Sequence, residues 1–165
     1  MTLTEIRTLF EYDEWATERT LESVSNLSDG KYHDDLKSSH GGIHGTLVHV
    51  YSAGMTWLQR WKGSSPSTSV NVQEIPNLES LKAHWKEYRI SLNSYLRSLT
   101  EGGLHAALSY TDTKGNKHGE PLYQQMQQVI NHASYHRGQI VTMLRQLGGK
   151  PQATDLILFF RTRQG

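Results

Sequence analysis

The sequence predicts an all-α protein, a four-helix bundle with a crossover connection and a short hairpin or loop before the last long helix. Three observations carry this. Four stretches of about 20–27 residues place apolar residues at helical period. Each stretch is bounded by capping or breaking residues. The segments joining them are unequal, which argues against a simple up-down-up-down path. All 165 residues form one domain (1–165), a length suited to a single core. Mass scaling gives a folded surface of about 8,300 Å², so roughly 70% of the open chain's surface is buried.

The first helix carries Leu3, Ile6, Leu9, Phe10, Leu21, Val24 and Leu27. Thr2 followed by Glu5 fits a capping box, and Asp29-Gly30 reads as the turn that ends it. The second stripe runs Ile43, Thr46, Val50, Ala53, Trp57, Trp61 and stops at Gly63. The Ser/Pro-rich stretch to Pro76 reads as a loop. Asn77 is an N-cap for the third helix, whose stripe runs from Leu78 to Leu99 and closes at Gly102-Gly103. Residues 104–119 break the period and read as a hairpin or extended loop. Pro121 opens the fourth helix. Its stripe is Leu122, Met126, Val129, Ala133, Ile140, Leu144 and Leu147, ended by Gly148-Gly149 and Pro151. A short tail helix, Asp155 to Phe160, caps one end of the bundle.

Composition narrows the chemistry. There is no cysteine, which excludes disulfides, thiolate zinc sites, iron–sulfur clusters and a cysteine nucleophile. Seventeen Lys and Arg against sixteen Asp and Glu, evenly scattered, form no basic stripe, so no nucleic-acid partner is expected. Arg161 and Arg163 read as a solvated tail. No apolar run approaches the roughly 18–20 residues of a membrane span, and no apolar leader opens the chain. The expectation is a cytoplasmic protein without membrane attachment.

Nine histidines remain to hold any metal together with carboxylates. His132 and His136 stand one helical turn apart, at the edge of the fourth helix's apolar stripe. His49 occupies the matching edge of the second helix. Flank positions on two packed helices converge in the groove between them. Three imidazoles leave coordination positions open, the arrangement of a catalytic rather than a structural site. Imidazole suits zinc, nickel, iron or copper, so the ligand set does not name the ion. A His-x-x-x-His pair also arises by chance in a His-rich chain. Ala133 stands where a His-Glu-x-x-His hydrolase carries its general base. His40 and His44 form a second pair that reads as capping or surface residues. His33, His84, His105 and His118 have no partner at ligand spacing. Trp15, Trp57, Trp61 and Trp85 line either a core or a pocket.

Two charges lie inside apolar stripes, Asp13 on the first helix and Arg137 on the fourth. A lone buried charge is costly, so each needs a partner. One reading is a structural ion pair. The other has Asp13 orienting a ligand histidine or metal-bound water, or acting as base, and Arg137 holding an anionic substrate group. The second reading predicts that Asp13→Ala weakens metal affinity more than bundle stability.

The segment from Ser39 through Ile43, Thr46-Leu47, His49, Ala53, Trp57-Leu58 and Arg60 resembles the second helix of the DinB/YfiT-like family. The run His132-Ala-Ser-Tyr-His136-Arg137-Gly138-Gln139-Ile140 resembles its last helix closely. Tyr12-Asp-Glu-Trp15-Ala16 and Thr154-Asp155 are similar to its first helix and tail. The resemblance covers nearly the whole chain. It implies a four-helix bundle, often a homodimer, with a divalent metal ion (zinc, nickel or iron) on His49, His132 and His136. Relatives include transferases and isomerases that use low-molecular-weight thiols, and members described as metal-dependent hydrolases. The implied function is transfer of a small-molecule thiol to an electrophile, in a stress or detoxification role. A metal-dependent hydrolase and a non-enzymatic metal-binding stress-response bundle are the alternatives. The family often carries Glu after the alanine at the middle of the second helix, where this chain has Gly54.

Overall fold

The computed structural model describes residues 1–163. Seven helices are assigned among them: α1 (Leu3–Ser25), α2 (Asp29–His33), α3 (Ile43–Trp61), α4 (Leu78–Ser98), α5 (Glu101–His105), α6 (Leu122–Gln146) and α7 (Leu156–Thr162). A 3-10 turn covers Val72–Glu74. Strands β1 (Ala107–Thr111) and β2 (Lys117–Pro121) form an antiparallel hairpin, in register from Ala107 opposite Pro121 to Thr111 opposite Lys117. The accessible surface is 8921 Å², close to the expectation from mass.

The four long helices start where capping chemistry and period place them. Thr2 Oγ1 accepts from the Glu5 amide at 3.2 Å, and Glu5 Oε2 accepts from the Thr2 amide at 2.7 Å. Asn77 Oδ1 accepts from the Ser80 amide at 2.9 Å and opens α4. Pro121 stands at the N-cap of α6, so the helix begins one residue after it. Ile6, Ile43, Leu81, Met126, Ile140 and Leu144 are fully buried and form the centre of the core. Trp61 and Trp85 belong to that core, while Trp15 and Trp57 pack at its margin.

The chain crosses the bundle through the two connections that carry short elements of their own, not through the Ser/Pro-rich loop. Helix α6 packs on both α1 and α3, and α4 packs on both α3 and α1. Helices α1 and α3 therefore face each other across the bundle, as do α4 and α6. The crossovers are residues 26–42 and 99–121, whereas the long loop at 62–77 joins neighbours. Side chains of the two facing pairs meet in the middle, as where the Phe10 ring meets Trp61 edge-on at 6.2 Å.

Two turn assignments change. Asp29-Gly30 does not end the chain's helical path but opens α2, with Ser28 at its N-cap and Tyr32 buried as its anchor. Gly102-Gly103 does not close α4, which ends at Ser98. The pair lies inside α5, where Thr100 Oγ1 accepts from the Gly103 amide at 3.1 Å and Leu104 is fully buried. In both, one buried anchor overrides the weak helix propensity of glycine. Arg161 and Arg163 are exposed, as expected of solvated residues, but they stand in and at the end of a helix that packs on the bundle. Helix α7 packs Phe159 against Tyr12 and Trp15, and Arg163 reaches Glu11 at 2.6 Å.

Candidate metal centre

Helices α3 and α6 pack side by side. Their facing edges carry His49 on one and His132 and His136 on the other. His49 lies one residue before the buried Val50, and His132 one before the buried Ala133, so both sit half-buried at the seam. His136 is buried, at 5% exposure. The three Nε2 atoms converge. That of His132 lies 3.0 Å from His49 Nε2 and 3.1 Å from His136 Nε2.

The proton on His136 is fixed from outside the cluster. Its Nδ1 lies 2.7 Å from Oε1 of Gln139, one turn further along α6. An amide oxygen only accepts, so Nδ1 carries the proton and Nε2 presents a lone pair. Burial and the neighbouring imidazoles push His49 and His132 down to about 4, with burial the larger cause. Both are therefore neutral at pH 7. His132 Nε2 holds either one proton or one lone pair, so it cannot make a good hydrogen bond to both neighbours, and one of the two close contacts is left without one. A cation between them resolves this conflict. The donor set and its outer hydrogen bond thus fit a divalent ion.

A fourth ring joins them. His40, expected as a capping or surface residue, caps nothing. Gly42 stands at the N-cap of α3, with no side-chain cap bond. The His40 ring instead stacks on His49, with centroids 3.8 Å apart and planes at 16°. Among the described residues, His40, His49 and His136 offer ligand nitrogens that all lie within 4.8 Å of one another. His44, its expected partner, turns away and bonds the Ile75 carbonyl at 2.7 Å.

Asp13 and Arg137 meet each other. Arg137 Nη1 donates to Asp13 Oδ1 at 2.5 Å and to Thr17 Oγ1 at 3.3 Å, and Nη2 donates to Ser134 Oγ at 2.8 Å. The guanidinium is 3% exposed and lies over the Tyr12 ring. Burial raises the Asp13 carboxyl, and the Arg137 charge opposes that rise. None of the hydrogen bonds of this pair reaches the four imidazoles. Gly54 lies against α4, not against the metal seam. A Cβ there would stand 2.7 Å from Tyr88 Oη and 2.9 Å from its Cζ. The buried Tyr88 ring occupies the space that a longer side chain at 54 would need. Burial, Asp13 and Tyr51 together hold its hydroxyl far above the usual phenol range.

Helical period brings out the two-helix seam but not His40, Gln139 or Tyr88. Gln139 carried a signal, since it stands at i+3 from His136 on the same face. His40 lies in a loop, outside any helical period. Tyr88 looks like any other core aromatic on its stripe.

The DinB family model matches residues 1–164. Protein DinB of Bacillus subtilis (strain 168) is 26% identical over 161 residues, covering 92% of this chain and 91% of that protein. The fold is similar to the crystal structure of a DinB-like protein from Bacillus cereus ATCC 10987. The TM-score is 0.61 at 15% identity, over 88% of this chain and 94% of that one. A family model matching almost every residue, on a bundle with an imidazole cluster at its α3–α6 seam, places this chain in the DinB family.

Proposed function

We propose that this protein is a metal-dependent transferase of a low-molecular-weight thiol, with His49, His132 and His136 holding a divalent ion. The observation that carries the reading is the place of His132 Nε2, which lies 3.0 Å from His49 Nε2 and 3.1 Å from His136 Nε2. An ion bound there supplies Lewis acidity that favours the thiolate form of a small thiol. Gln139 holds the His136 tautomer that presents a lone pair inward. The chain has no cysteine, so the sulfur enters with the substrate. The thiol proton passes to solvent. The sulfur lone pair forms a bond to the electrophilic carbon, and the leaving group departs with the electrons of the broken bond.

A metal-dependent hydrolase is the second reading. It needs a base beside the attacking water, and the Asp13 carboxylate is bonded to Arg137. The same pairing makes Arg137 a brace across α1 and α6 in this account, in place of an anion holder for substrate. The family resemblance extends the proposal to a homodimer, which light scattering on the purified chain tests.

The test uses metal-loaded protein, a small thiol and chlorodinitrobenzene or monobromobimane. Thiol consumption that disappears on metal removal supports the transferase. Ester or amide turnover without thiol points to the hydrolase, and neither activity points to a binding protein.

A further inference from the structure

We propose that His40 is a fourth ligand of the metal centre; this rests on the reading of His49, His132 and His136 as its other ligands. The ring lies where a ligand would. It stacks on His49 at 3.8 Å and meets His136 edge-on at 5.4 Å. Its nitrogens find no hydrogen-bond partner among the described residues, so a lone pair is free. One of its nitrogens lies within 4.8 Å of ligand nitrogens on both His49 and His136. Two nitrogens bound to one ion at about 2.0–2.1 Å lie at most about 4.2 Å apart. The difference is a small swing of one ring on a loop.

The loop that carries His40 is built into place. The Leu36 amide donates to the Gly41 carbonyl at 2.8 Å, and Gly41 and Ser38 bridge each other. The loop then lies directly on the first turn of α3. A Cβ on Gly45 would stand 2.0 Å from the His40 carbonyl oxygen, and one on Gly42 would stand 2.1 Å from that of Asp34. Only glycine at 42 and 45 lets the backbone come this close, and that approach delivers the imidazole to the seam.

A fourth imidazole changes what the centre can do. A tetrahedral ion such as zinc would be closed by four nitrogens, as in structural sites. An ion that takes six ligands, nickel or iron, would keep positions for a substrate. The arrangement thus favours a six-coordinate ion if the centre is catalytic.

The test is titration of the full chain with cobalt(II), followed by calorimetry and by the visible spectrum, which reports coordination number. The wild type, His40→Ala and His132→Ala are compared. The proposal expects one cobalt per wild-type chain, with affinity falling about 10–100-fold in His40→Ala and the visible bands altered. If His40→Ala binds and absorbs as wild type does while His132→Ala loses cobalt, the fourth ligand is refuted and the centre stands. If the wild type binds no cobalt, both readings fall. Circular dichroism checks folding; His40→Gln, which cannot supply an imidazole, replaces His40→Ala where that does not fold and must give the same loss, and His132→Gln likewise replaces His132→Ala.

Discussion

Gln139 is a small residue choice with a large effect on the site. Its amide oxygen accepts a hydrogen bond from His136 Nδ1, 2.7 Å away, and so favours the tautomer whose Nε2 lone pair faces inward. Replacing it with leucine keeps the helix and removes the acceptor. The expected outcome is metal affinity lowered by about 10–100-fold, measured by calorimetry, with folding unchanged. Asp13 leads to a different outcome. Asp13→Ala leaves the Arg137 guanidinium buried without its anion, which costs about 3–5 kcal/mol. Urea unfolding should show that loss. Metal affinity in the folded fraction should change little, the reverse of what a role beside the metal requires. A structural ion pair was one of the two readings the sequence offered for each charge; that Asp13 and Arg137 are each other's partner was not legible, because the pattern of one helix does not say which stripe it meets.

At the scale of elements, α3 and α6 carry His49, His132 and His136, and both helices were legible. Their stripes, with Gly63 after one and Gly148-Gly149 after the other, bound them within a residue or two. The seam position of His49, His132 and His136 followed from the same period. The short helices did not follow. Both α2 and α5 run through glycine-containing pairs that locally favour a turn, and each is held by one buried residue, Tyr32 or Leu104. Burial of that kind is set by distant parts of the chain, which local pattern cannot supply. The contact of α3 with α4 gives a test. Gly54→Ala places a methyl against the Tyr88 ring and should cost about 1–3 kcal/mol by overpacking. Adding Tyr88→Leu, which removes the ring, should recover part of that loss. Additive losses in a double-mutant cycle would show that the two positions do not press on each other.

The whole molecule joins these pieces through its path. Because α1 and α3 face each other across the bundle, α6 lies between them and touches both. One face of α6 therefore carries His132 and His136 toward α3, and the next carries the Asp13–Arg137 pair with α1. Adjacent residues His136 and Arg137 divide these tasks. Among the described residues no helix is long and apolar enough to cross a membrane. The crossovers were expected from unequal connections, but their positions were not, since loop length alone does not say which helices become neighbours. An ion held between α3 and α6 would tie the bundle together. Saturating metal at about 100 times its dissociation constant should add about 2.7 kcal/mol, read as a rise in melting temperature that chelation reverses.

The central claim is that the α3–α6 seam is a metal centre, and elemental analysis of the purified, folded chain tests it most directly. One divalent ion per chain is expected in the wild type, and its loss in His49→Ala, His132→Ala and His136→Ala while each stays helical by circular dichroism. Full metal content in folded His132→Ala, or none in the wild type after incubation with zinc, nickel and iron salts, would contradict it.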